Sequence, residues 1–389
     1  MDHLEVVTAF LNTEIDDDDI YMTLPERWPE GSNAPKIVVR LRKALYGLKQ
    51  APQLWHNDIN AFLLSLGFTQ SAADANLYLR SDGILILLFV DDISLSYPEA
   101  ASKAAIEVKA KLAEKYKITN LGPACQFLGM EIYREDTGIN LRLKAYIATI
   151  LRRFGMENNH GASTPMDSNV KLDLAEDRGD KELEQEDITD YQAVMGSQMY
   201  GALATRPDMS YAVAAPSCYN WRPFTSHMTA AKRDLQYLKS TANFRLHFNS
   251  NGIGIAIGIG ISIGIGMAID NCLVGYSDCD WANDSVDRKS QGGHVFLTNN
   301  GGAVLWQSRK QGLIAMSTLE AEFITCSEAS REEKWLLQLQ IDIHGKDLPP
   351  LPTNCDNLRA LALITTGIIK ARKKHIDIRY HNSRDLHKR

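Results

Sequence analysis

The hydrophobic pattern of residues 84–97 predicts a β-hairpin. An apolar run from Ile84 to Val90 is followed by Asp91 and Asp92, and then by a second, partly alternating run of strand length. Two strand-like segments that flank a short polar pair are typical of a tight turn. The simplest interpretation of the two aspartates is a solvated turn, because Asp is a common turn residue. The alternative is a metal site, because two carboxylates at a rigid tip can bind a hard divalent cation.

Helical periodicity is found on both sides of this hairpin. Pro52 lies at a plausible first helical position, and apolar residues follow it at helical spacing. A second helix is predicted after Pro98, with Ala105, Val108 and Leu112 on one face. Helices packed against an antiparallel hairpin sheet indicate an α+β fold.

The C-terminal part of the sequence predicts a different order of elements. Short strands are expected at residues 273–276, 295–297, 303–306 and 353–355. The sequence Ser-Thr-Leu-Glu at 317–320 is a capping box, so a helix is expected to begin there. A further helix is expected from residue 358, which gives the order βββαβα.

Two segments divide the chain. Residues 252–269 alternate Ile or Met with Gly, Ala or Ser, a composition that argues against a membrane helix and indicates a low-complexity tract. Residues 166–190 are acidic and polar, which is typical of a mobile connector. We therefore predict domains at 1–155 and 271–389, a connecting region at 156–250 and the tract at 251–270.

Composition adds only weak constraints on function. The chain has 389 residues, of which 44% are hydrophobic and 23% charged, with a formal net charge of −6. This charge does not indicate a nucleic-acid binder, so such a role would depend on local basic clusters. Two clusters are present, at residues 36–49 and 370–389, although each alone is more simply a solvated face.

The cysteines and the N-terminus indicate an intracellular protein. Six cysteines are scattered without a CxxC pair or a zinc-like Cys/His spacing, which argues against a disulfide or zinc framework. The first ten residues have no basic segment followed by an apolar core, so no signal peptide is expected.

A second acidic group is predicted in the C-terminal domain. Asp278 is expected to end the first strand, Glu322 lies in the first turns of the capped helix, and Asp356 ends the last strand. Three acids at the ends of separate elements could converge on a metal pair, although spacing alone does not establish this. Glu320 is explained by its position in the capping box.

Many stretches resemble copia-type retrotransposon polyproteins, and together they cover nearly the whole chain apart from the Ile/Gly tract. Those that resemble the reverse transcriptase are VVTAFLNTEI, DIYMTLPERW, VRLRKALYGLKQAPQLWH, LLFVDDISL, FLGMEI, MGSQMYGALATRPDMSYAV and KRDLQYLKST. Those that resemble the ribonuclease H domain are GYSDCDWANDSVDRKSQGGHVF, STLEAEFITCSEASREEKWL, CDN and ARKKHIDIRYH.

For the polymerase, the resemblance implies a palm and thumb with fingers truncated, and a two-metal site. Asp91 and Asp92 would bind two Mg²⁺ ions, or Mn²⁺, together with a third acid on a neighbouring strand. At the position of the family's first palm aspartate this sequence has Glu5. The partners implied are an RNA template, a primer and dNTPs. The residues implied to contact nucleotide or nucleic acid are Tyr46, Gly47, Lys49 and Gln50 near the site, and Gly129 and Met130 in a primer-gripping element.

For the ribonuclease H-like α/β domain, the resemblance implies cleavage of RNA in an RNA–DNA hybrid. Asp278, Glu322 and Asp356 match three of four metal-binding acids, and Lys374 and His375 would lie near the hybrid backbone. The chain ends before the fourth acid, so this domain is expected to be C-terminally truncated.

The departures from the family pattern favour an impaired chain. Glu5 has one methylene more than Asp, which displaces its carboxylate by about 1.5 Å, and Mg²⁺ demands near-ideal octahedral geometry. The expected function is a degenerate reverse transcriptase and ribonuclease H; the alternative is a catalytically inactive nucleic-acid-binding remnant. No membrane association is expected, and the expected location is the cytoplasm, in a virus-like particle, or the nucleus.

Overall fold

The computed structural model describes residues 1–15, 20–24, 38–167, 169–172, 175–176, 179–249, 273–298 and 301–366. The chain forms two compact units, Met1–Ala124 and Cys125–Arg389. This division precedes the boundary that the sequence suggested near residue 155. The reason is that strands at 130–142 pair with a strand at 246–249, which joins them to the second unit. The Ile/Gly tract lies outside the described residues.

The first unit contains a six-stranded sheet in the order β4-β5-β6-β7-β1-β8 and a separate β2-β3 pair. Its strands are β1 Asp2–Val6, β2 Tyr21–Thr23, β3 Val38–Arg40, β4 Thr69–Gln70, β5 Leu77–Leu79, β6 Leu85–Phe89, β7 Asp92–Ser96 and β8 Ile118–Pro123. Its helices are α1 Ala51–Ser65 and α2 Ser102–Lys115, with short 3₁₀ helices at Ala9–Asn12 and Glu99–Ala101.

The two predicted helices of this unit are confirmed. In α1, Trp55, Ile59 and Leu63 are buried, and the buried residues of α2 are the three expected from helical spacing. They pack in one core with apolar side chains of the central strands. Each such side chain contributes about 1.5–3 kcal/mol through its removal from water.

The predicted hairpin is confirmed, with a shift of one residue in its turn. Phe89 pairs with Asp92, so the two turn residues are Val90 and Asp91. Asp92 is the first residue of β7 instead of a turn residue. Val90 has a φ of 53°, a backbone conformation that β-branched residues rarely adopt and that hydrophobic pattern does not indicate.

The second unit begins with a four-stranded sheet in the order β12-β11-β10-β9. The strands of this sheet are β9 Gln126–Phe127, β10 Met130–Glu135, β11 Gly138–Arg142 and β12 Leu246–Asn249. Between β11 and β12 lie the helices α3 Lys144–Arg153, α4 Gln185–Ala204, α5 Ser210–Ser217 and α6 Thr225–Ser240, with a 3₁₀ turn at Pro207–Met209. Since α4 begins at Gln185, the last residues of the expected acidic connector are helical.

The remainder of this unit follows the predicted order βββαβα. The elements are β13 Leu273–Asp280, β14 Gln291–Thr298, β15 Ala303–Lys310, α7 Thr318–His344, β16 Thr353–Cys355 and α8 Leu358–Thr366. The sheet order is β15-β14-β13-β16, in which β16 is parallel to β13. Because β13 is longer than expected, Asp278 lies within it and not at its end.

The predicted start of α7 at an N-cap serine is confirmed, but the Glu320 side chain bonds the Met316 amide and not the Ser317 amide that a capping box requires. The Ser317 hydroxyl accepts a hydrogen bond from the Glu320 amide at 3.2 Å, and the Glu320 carboxylate accepts one from the Met316 amide at 2.7 Å. These bonds fix the first turn of α7 and therefore the position of Glu322. With sheets and helices in both units, the α+β fold class is confirmed.

Asp234 on α6 is a buried acid that the sequence analysis did not single out. The residue is 1% exposed, and neither carboxylate oxygen has a hydrogen-bond partner among the described residues. Burial raises the pKa of Asp234 to about 9. The folded protein therefore holds this carboxyl protonated at neutral pH.

We expect Asp234→Asn to remove part of the pH dependence of stability. The pKa is 3.8 in the unfolded chain and about 9 in the folded protein, so between these values only the unfolded chain releases the proton. The free energy of unfolding of the unsubstituted protein then falls by ~1.4 kcal/mol per pH unit through this group. Urea unfolding at pH 6 and pH 8 measures the difference. The fall in unfolding free energy with pH should persist in the control Glu186→Gln, which changes an exposed acid on α4. If Asp234→Asn shows the same fall as the unsubstituted protein, Asp234 is not the group responsible for it.

Candidate active sites

The hairpin tip of the first unit is held by the protein around it. The Trp55 indole donates a hydrogen bond to the Val90 carbonyl at 2.8 Å, and the Val6 amide donates one to the Asp91 carbonyl at 2.7 Å. Trp55 is 2% exposed, so its ring is fixed in the core. The backbone of the turn is therefore anchored at two successive carbonyl groups, those of Val90 and Asp91.

The Asp91 carboxylate is only partly satisfied. Its Oδ2 accepts a hydrogen bond from the Tyr46 hydroxyl at 2.7 Å, whereas its Oδ1 is buried without a partner among the described residues. Burial and the Asp91 carboxylate together raise the pKa of Tyr46 to about 12, so the phenol remains a donor. The Tyr46 ring lies 4.4 Å from the Phe10 ring, measured between centroids. Because a buried carboxylate oxygen without a partner is unfavourable, Oδ1 is suited to bind a cation.

Asp92 and Glu5 are direct neighbours across β7 and β1. They are paired in the antiparallel register, and directly opposed residues have Cβ atoms about 4.5–5.5 Å apart. Asp92 Oδ1 lies 2.8 Å from the Nε2 of His3. Asp91 and Asp92 are half-buried, and Glu5 is exposed. The three predicted acids of this site thus lie around one hairpin tip.

Their ligand atoms are nevertheless not closely grouped. In the described parts of the chain, three or more Asp, Glu, His or Cys ligand atoms lie within 4.8 Å of one another only at Glu322, Cys355 and Asp356. Side chains of the first site would have to move to share an ion.

The segment before α1 contains the residues predicted to contact nucleotide, and one of them, Tyr46, bonds an aspartate of the hairpin tip. Tyr46 reaches Asp91, as described above. Gly47 has a φ of +100°, which favours glycine, and a Cβ there would meet nothing within 4 Å. Lys49 is exposed, and Gln50 is half-buried immediately before α1.

The other predicted contacts lie outside this unit. Gly129 has a φ of +77° in the turn between β9 and β10, and Met130 is 2% exposed and belongs to the core of the second unit. The Tyr200 hydroxyl donates to the Leu128 carbonyl at 2.6 Å, which secures this turn. Lys374 and His375 lie outside the described residues.

The second site is formed where α7 meets the parallel pair β13 and β16. Ser277 is in register with Cys355, so Asp278 and Asp356 follow side by side. Glu322 is 7% exposed, whereas Asp278 and Asp356 are exposed. Burial raises the pKa of Glu322 to about 8, and the nearby Cys355, Asp278 and Asp356 add to this effect. The three acids predicted from the sequence are therefore brought together.

Cys355 is a member of this site that sequence reasoning missed. Its sulfur lies 4.0 Å from the Glu322 Oε2. A hydrogen bond with Cys326 lowers the pKa of Cys355 to about 7, and the same bond, with burial, raises the pKa of Cys326. Cys326 is also 3.3 Å from the Ser277 hydroxyl. The available signal was the position of Cys355 immediately before Asp356.

A cleft of about 780 Å³ opens onto the second site. Asp278, Cys355 and Asp356 line one part of it, and exposed Tyr211 and Tyr276 line another. The cleft gives solutes access to the exposed acids.

None of the helices in the described ranges combines the length and apolarity that a membrane span requires.

Comparison with known proteins identifies relatives over the whole chain. Residues 1–168 match the family model for reverse transcriptase (RNA-dependent DNA polymerase). The chain is 34% identical to the retrovirus-related Pol polyprotein from transposon TNT 1-94 of Nicotiana tabacum, over 99% of this chain and 28% of that protein. It is 33% identical to the corresponding polyprotein from transposon RE1 of Arabidopsis thaliana, over 97% of this chain and 24% of that protein. The chain thus spans about a quarter of the length of these plant relatives.

Two further comparisons concern a shorter relative and a solved structure. A putative transposon Ty5-1 protein of Saccharomyces cerevisiae is 33% identical over 85% of this chain and 100% of its own length. The foamy viral protease-reverse transcriptase, solved in complex with an RNA/DNA hybrid, has a similar fold, with a TM-score of 0.54 and 14% identity over 99% of this chain and 42% of that one. The chain therefore belongs to the copia-type retrotransposon polyproteins and contains their reverse transcriptase.

Proposed function

We propose that this chain is the part of a copia-type polyprotein that synthesises DNA on an RNA template and cleaves the RNA of the resulting hybrid, with a polymerase site impaired by Glu5. The observation that carries the proposal is the Asp91 carboxylate. One of its oxygens is buried without a partner in the described chain, at a tip that also bears Asp92 and faces Glu5. A cation is the partner that this oxygen lacks.

The residues of the first site have distinct proposed roles. Asp91, Asp92 and Glu5 would hold two Mg²⁺ ions, or Mn²⁺, which would supply positive charge at the primer hydroxyl and at the leaving pyrophosphate. Tyr46 orients Asp91 through its hydrogen bond. Lys49 offers an exposed positive charge to the phosphates of a dNTP or template. At Gly47 the absence of a side chain permits close approach of the nucleic acid.

The second site is proposed to hydrolyse RNA in an RNA–DNA hybrid. Glu322, Asp278 and Asp356 would hold the divalent ions of that reaction, and the cleft beside them leaves Asp278 and Asp356 accessible to a phosphate of the hybrid backbone. Burial, and then the neighbouring Cys355, Asp278 and Asp356, raise the pKa of Glu322; bound cations would compensate both the buried charge and the repulsion among these groups.

The remaining assignments follow from the same family resemblance. We propose that Gly129 and Met130 lie in the element that grips the primer, and that Lys374 and His375 contact the hybrid backbone. The domain limits at 155, 250 and 270 also stay proposals. The proposed location is intracellular, in cytoplasmic virus-like particles or in the nucleus, without membrane association.

A catalytically inactive nucleic-acid-binding remnant is the second candidate function. It is favoured by the first site, because the ligand atoms of Glu5, Asp91 and Asp92 are not gathered within 4.8 Å as those of the second site are. Such a remnant binds hybrid with a steep salt dependence, and Asp91→Asn does not change its affinity. Primer extension on an RNA template with Mg²⁺ by the Glu5→Asp variant distinguishes the two functions, because only the repaired enzyme extends the primer.

We expect Tyr46→Phe to raise the Mg²⁺ concentration needed for half-maximal primer extension by about 10-fold, as loss of a hydrogen bond to a charged group implies. The substitution removes the hydrogen bond that the Tyr46 hydroxyl donates to Asp91 Oδ2, so the carboxylate loses its fixed orientation. Tyr46 is 51% exposed, so the unfolding midpoint in urea should change little. The measurement is a Mg²⁺ titration in a Glu5→Asp background, with Tyr21→Phe as the control at another exposed tyrosine. An unchanged Mg²⁺ requirement contradicts the orienting role.

A further inference from the structure

The second site contains a sulfur ligand in addition to its carboxylates. The Glu322 carboxylate, the Cys355 thiol and the Asp356 carboxylate offer ligand atoms that all lie within 4.8 Å of one another. Glu322 comes from the first turns of α7, Cys355 ends β16 and Asp356 follows it. The group is therefore assembled by the tertiary fold and not by one local loop.

Glu322 is a buried carboxylate whose hydrogen-bond partner in the described chain is a weak donor, the Cys355 thiol. It is 7% exposed, and in the described ranges its one polar contact within bonding distance is the Cys355 sulfur at 4.0 Å, inside the group itself. The charged side chains that act on it in those ranges are the acids Asp278 and Asp356. A long thiol contact compensates a buried carboxylate only weakly, so the arrangement favours a bound cation.

The donor set determines which cation fits. Mg²⁺ prefers oxygen ligands alone, whereas thiolate ligands select softer ions such as Zn²⁺ and Cd²⁺. Zinc bound at about 2.3 Å from sulfur and about 2.1 Å from oxygen in tetrahedral geometry separates these ligands by ~3.6 Å. The 4.0 Å between Cys355 Sγ and Glu322 Oε2 requires a movement of only a few tenths of an ångström.

We propose that Glu322, Cys355 and Asp356 form a binding site for a thiophilic divalent cation of the Zn²⁺ class. The site is open to ions because Cys355 and Asp356 line the cleft described above. Two of its three ligands are acids of the proposed ribonuclease site, so a thiophilic ion competes with Mg²⁺ there and inhibits hybrid cleavage. This inhibition rests on the proposed function, whereas the binding of the ion does not.

Cadmium titration of the full chain tests the binding directly. Thiolate coordination of Cd²⁺ gives an ultraviolet charge-transfer band, measured under argon in a background in which the exposed Cys125 and Cys218, and also Cys272, are replaced by Ser. We expect a band that saturates at one equivalent, and its loss in Cys355→Ser. The matched control is Cys279→Ser, a half-buried cysteine outside the group, which retains the band.

Further variants keep the test decisive. Glu322→Gln and Asp356→Asn retain the sulfur and should show the band with at least 10-fold weaker Cd²⁺ affinity, while circular dichroism verifies that each variant is folded. An undiminished one-equivalent band in Cys355→Ser, or no band in the starting protein, overturns the proposal.

Inhibition by Zn²⁺ separates this inference from the proposed ribonuclease function. In Mg²⁺-dependent hybrid cleavage, with each variant normalised to its own rate without Zn²⁺, the half-inhibiting Zn²⁺ concentration should rise at least 10-fold in Cys355→Ser. An equal half-inhibiting concentration contradicts competition at this site. If no variant cleaves hybrid while the cadmium band is present, the ribonuclease function fails and the metal site stands.

Discussion

Replacing Glu5 by Asp is expected to raise RNA-templated DNA synthesis on the order of 100-fold, the range typical of repairing one misplaced catalytic group. Glu5 is paired with Asp92 across β1 and β7, beside the tip that bears Asp91. Its additional methylene shifts the carboxylate by about 1.5 Å, which Mg²⁺ coordination tolerates poorly. The Glu5→Asp substitution returns the carboxylate to the position that an aspartate would give it. It leaves the pairing of β1 with β7 unchanged, because only the side chain at position 5 differs.

The measurement is incorporation of labelled dNTPs into a DNA primer on an RNA template, at fixed Mg²⁺ and enzyme concentration. Glu107→Asp is the matched control, because it makes the same change at an exposed position of α2. Its rate should equal that of the unsubstituted chain. Equal rates for Glu5→Asp and Glu107→Asp would contradict a role for Glu5 in the polymerase site.

Glu322→Gln is expected to lower Mg²⁺-dependent cleavage of RNA in a hybrid by at least about 100-fold, as loss of a metal-binding carboxylate implies. The amide has nearly the same shape but no charge, so it cannot balance bound cations. Since Glu322 is buried and its pKa is raised to about 8, removal of the charge should leave the fold intact or stabilise it. Cleavage of end-labelled RNA in a hybrid and urea unfolding of the same samples measure both effects.

Glu320→Gln is the control within the same helix. Glu320 is also buried, but its carboxylate accepts a hydrogen bond from the Met316 amide at the start of α7. Loss of the negative charge at position 320 should change the free energy of unfolding modestly. Hybrid cleavage should stay within a few-fold of that of the unsubstituted chain. If both variants lose cleavage equally, Glu322 has no specific role in metal binding and the site assignment is wrong.

Local pattern was sufficient to predict the helices of the first unit and the start of α7 in the second. Trp55, Ile59 and Leu63 repeat at helical spacing, and Ser317 with Glu320 has the sequence of a capping box. These signals depend only on neighbours within a few turns of chain. The hairpin turn was displaced by one residue because the left-handed conformation of Val90 has no signature in hydrophobic pattern.

Contacts between distant segments could not be derived from local pattern. The pairing of Glu5 with Asp92 joins strands far apart in sequence, and family resemblance alone suggested it. The sheet formed by β10, β11 and β12 was missed because its third strand, at 246–249, comes after four helices. Cys355 was missed because an isolated cysteine has no spacing motif, and its partners Glu322 and Cys326 lie on another element.

Primer extension by the double variant Glu5→Asp, Asp91→Asn is the measurement that tests the central claim most directly. The Asp91 carboxylate at the hairpin tip has a buried oxygen that lacks a partner in the described chain, so its conversion to an amide removes the proposed cation ligand and retains the hydrogen-bonding shape. We predict that incorporation falls to background relative to Glu5→Asp alone, with hybrid binding unchanged. Undiminished incorporation by the double variant would show that DNA synthesis does not depend on the hairpin tip.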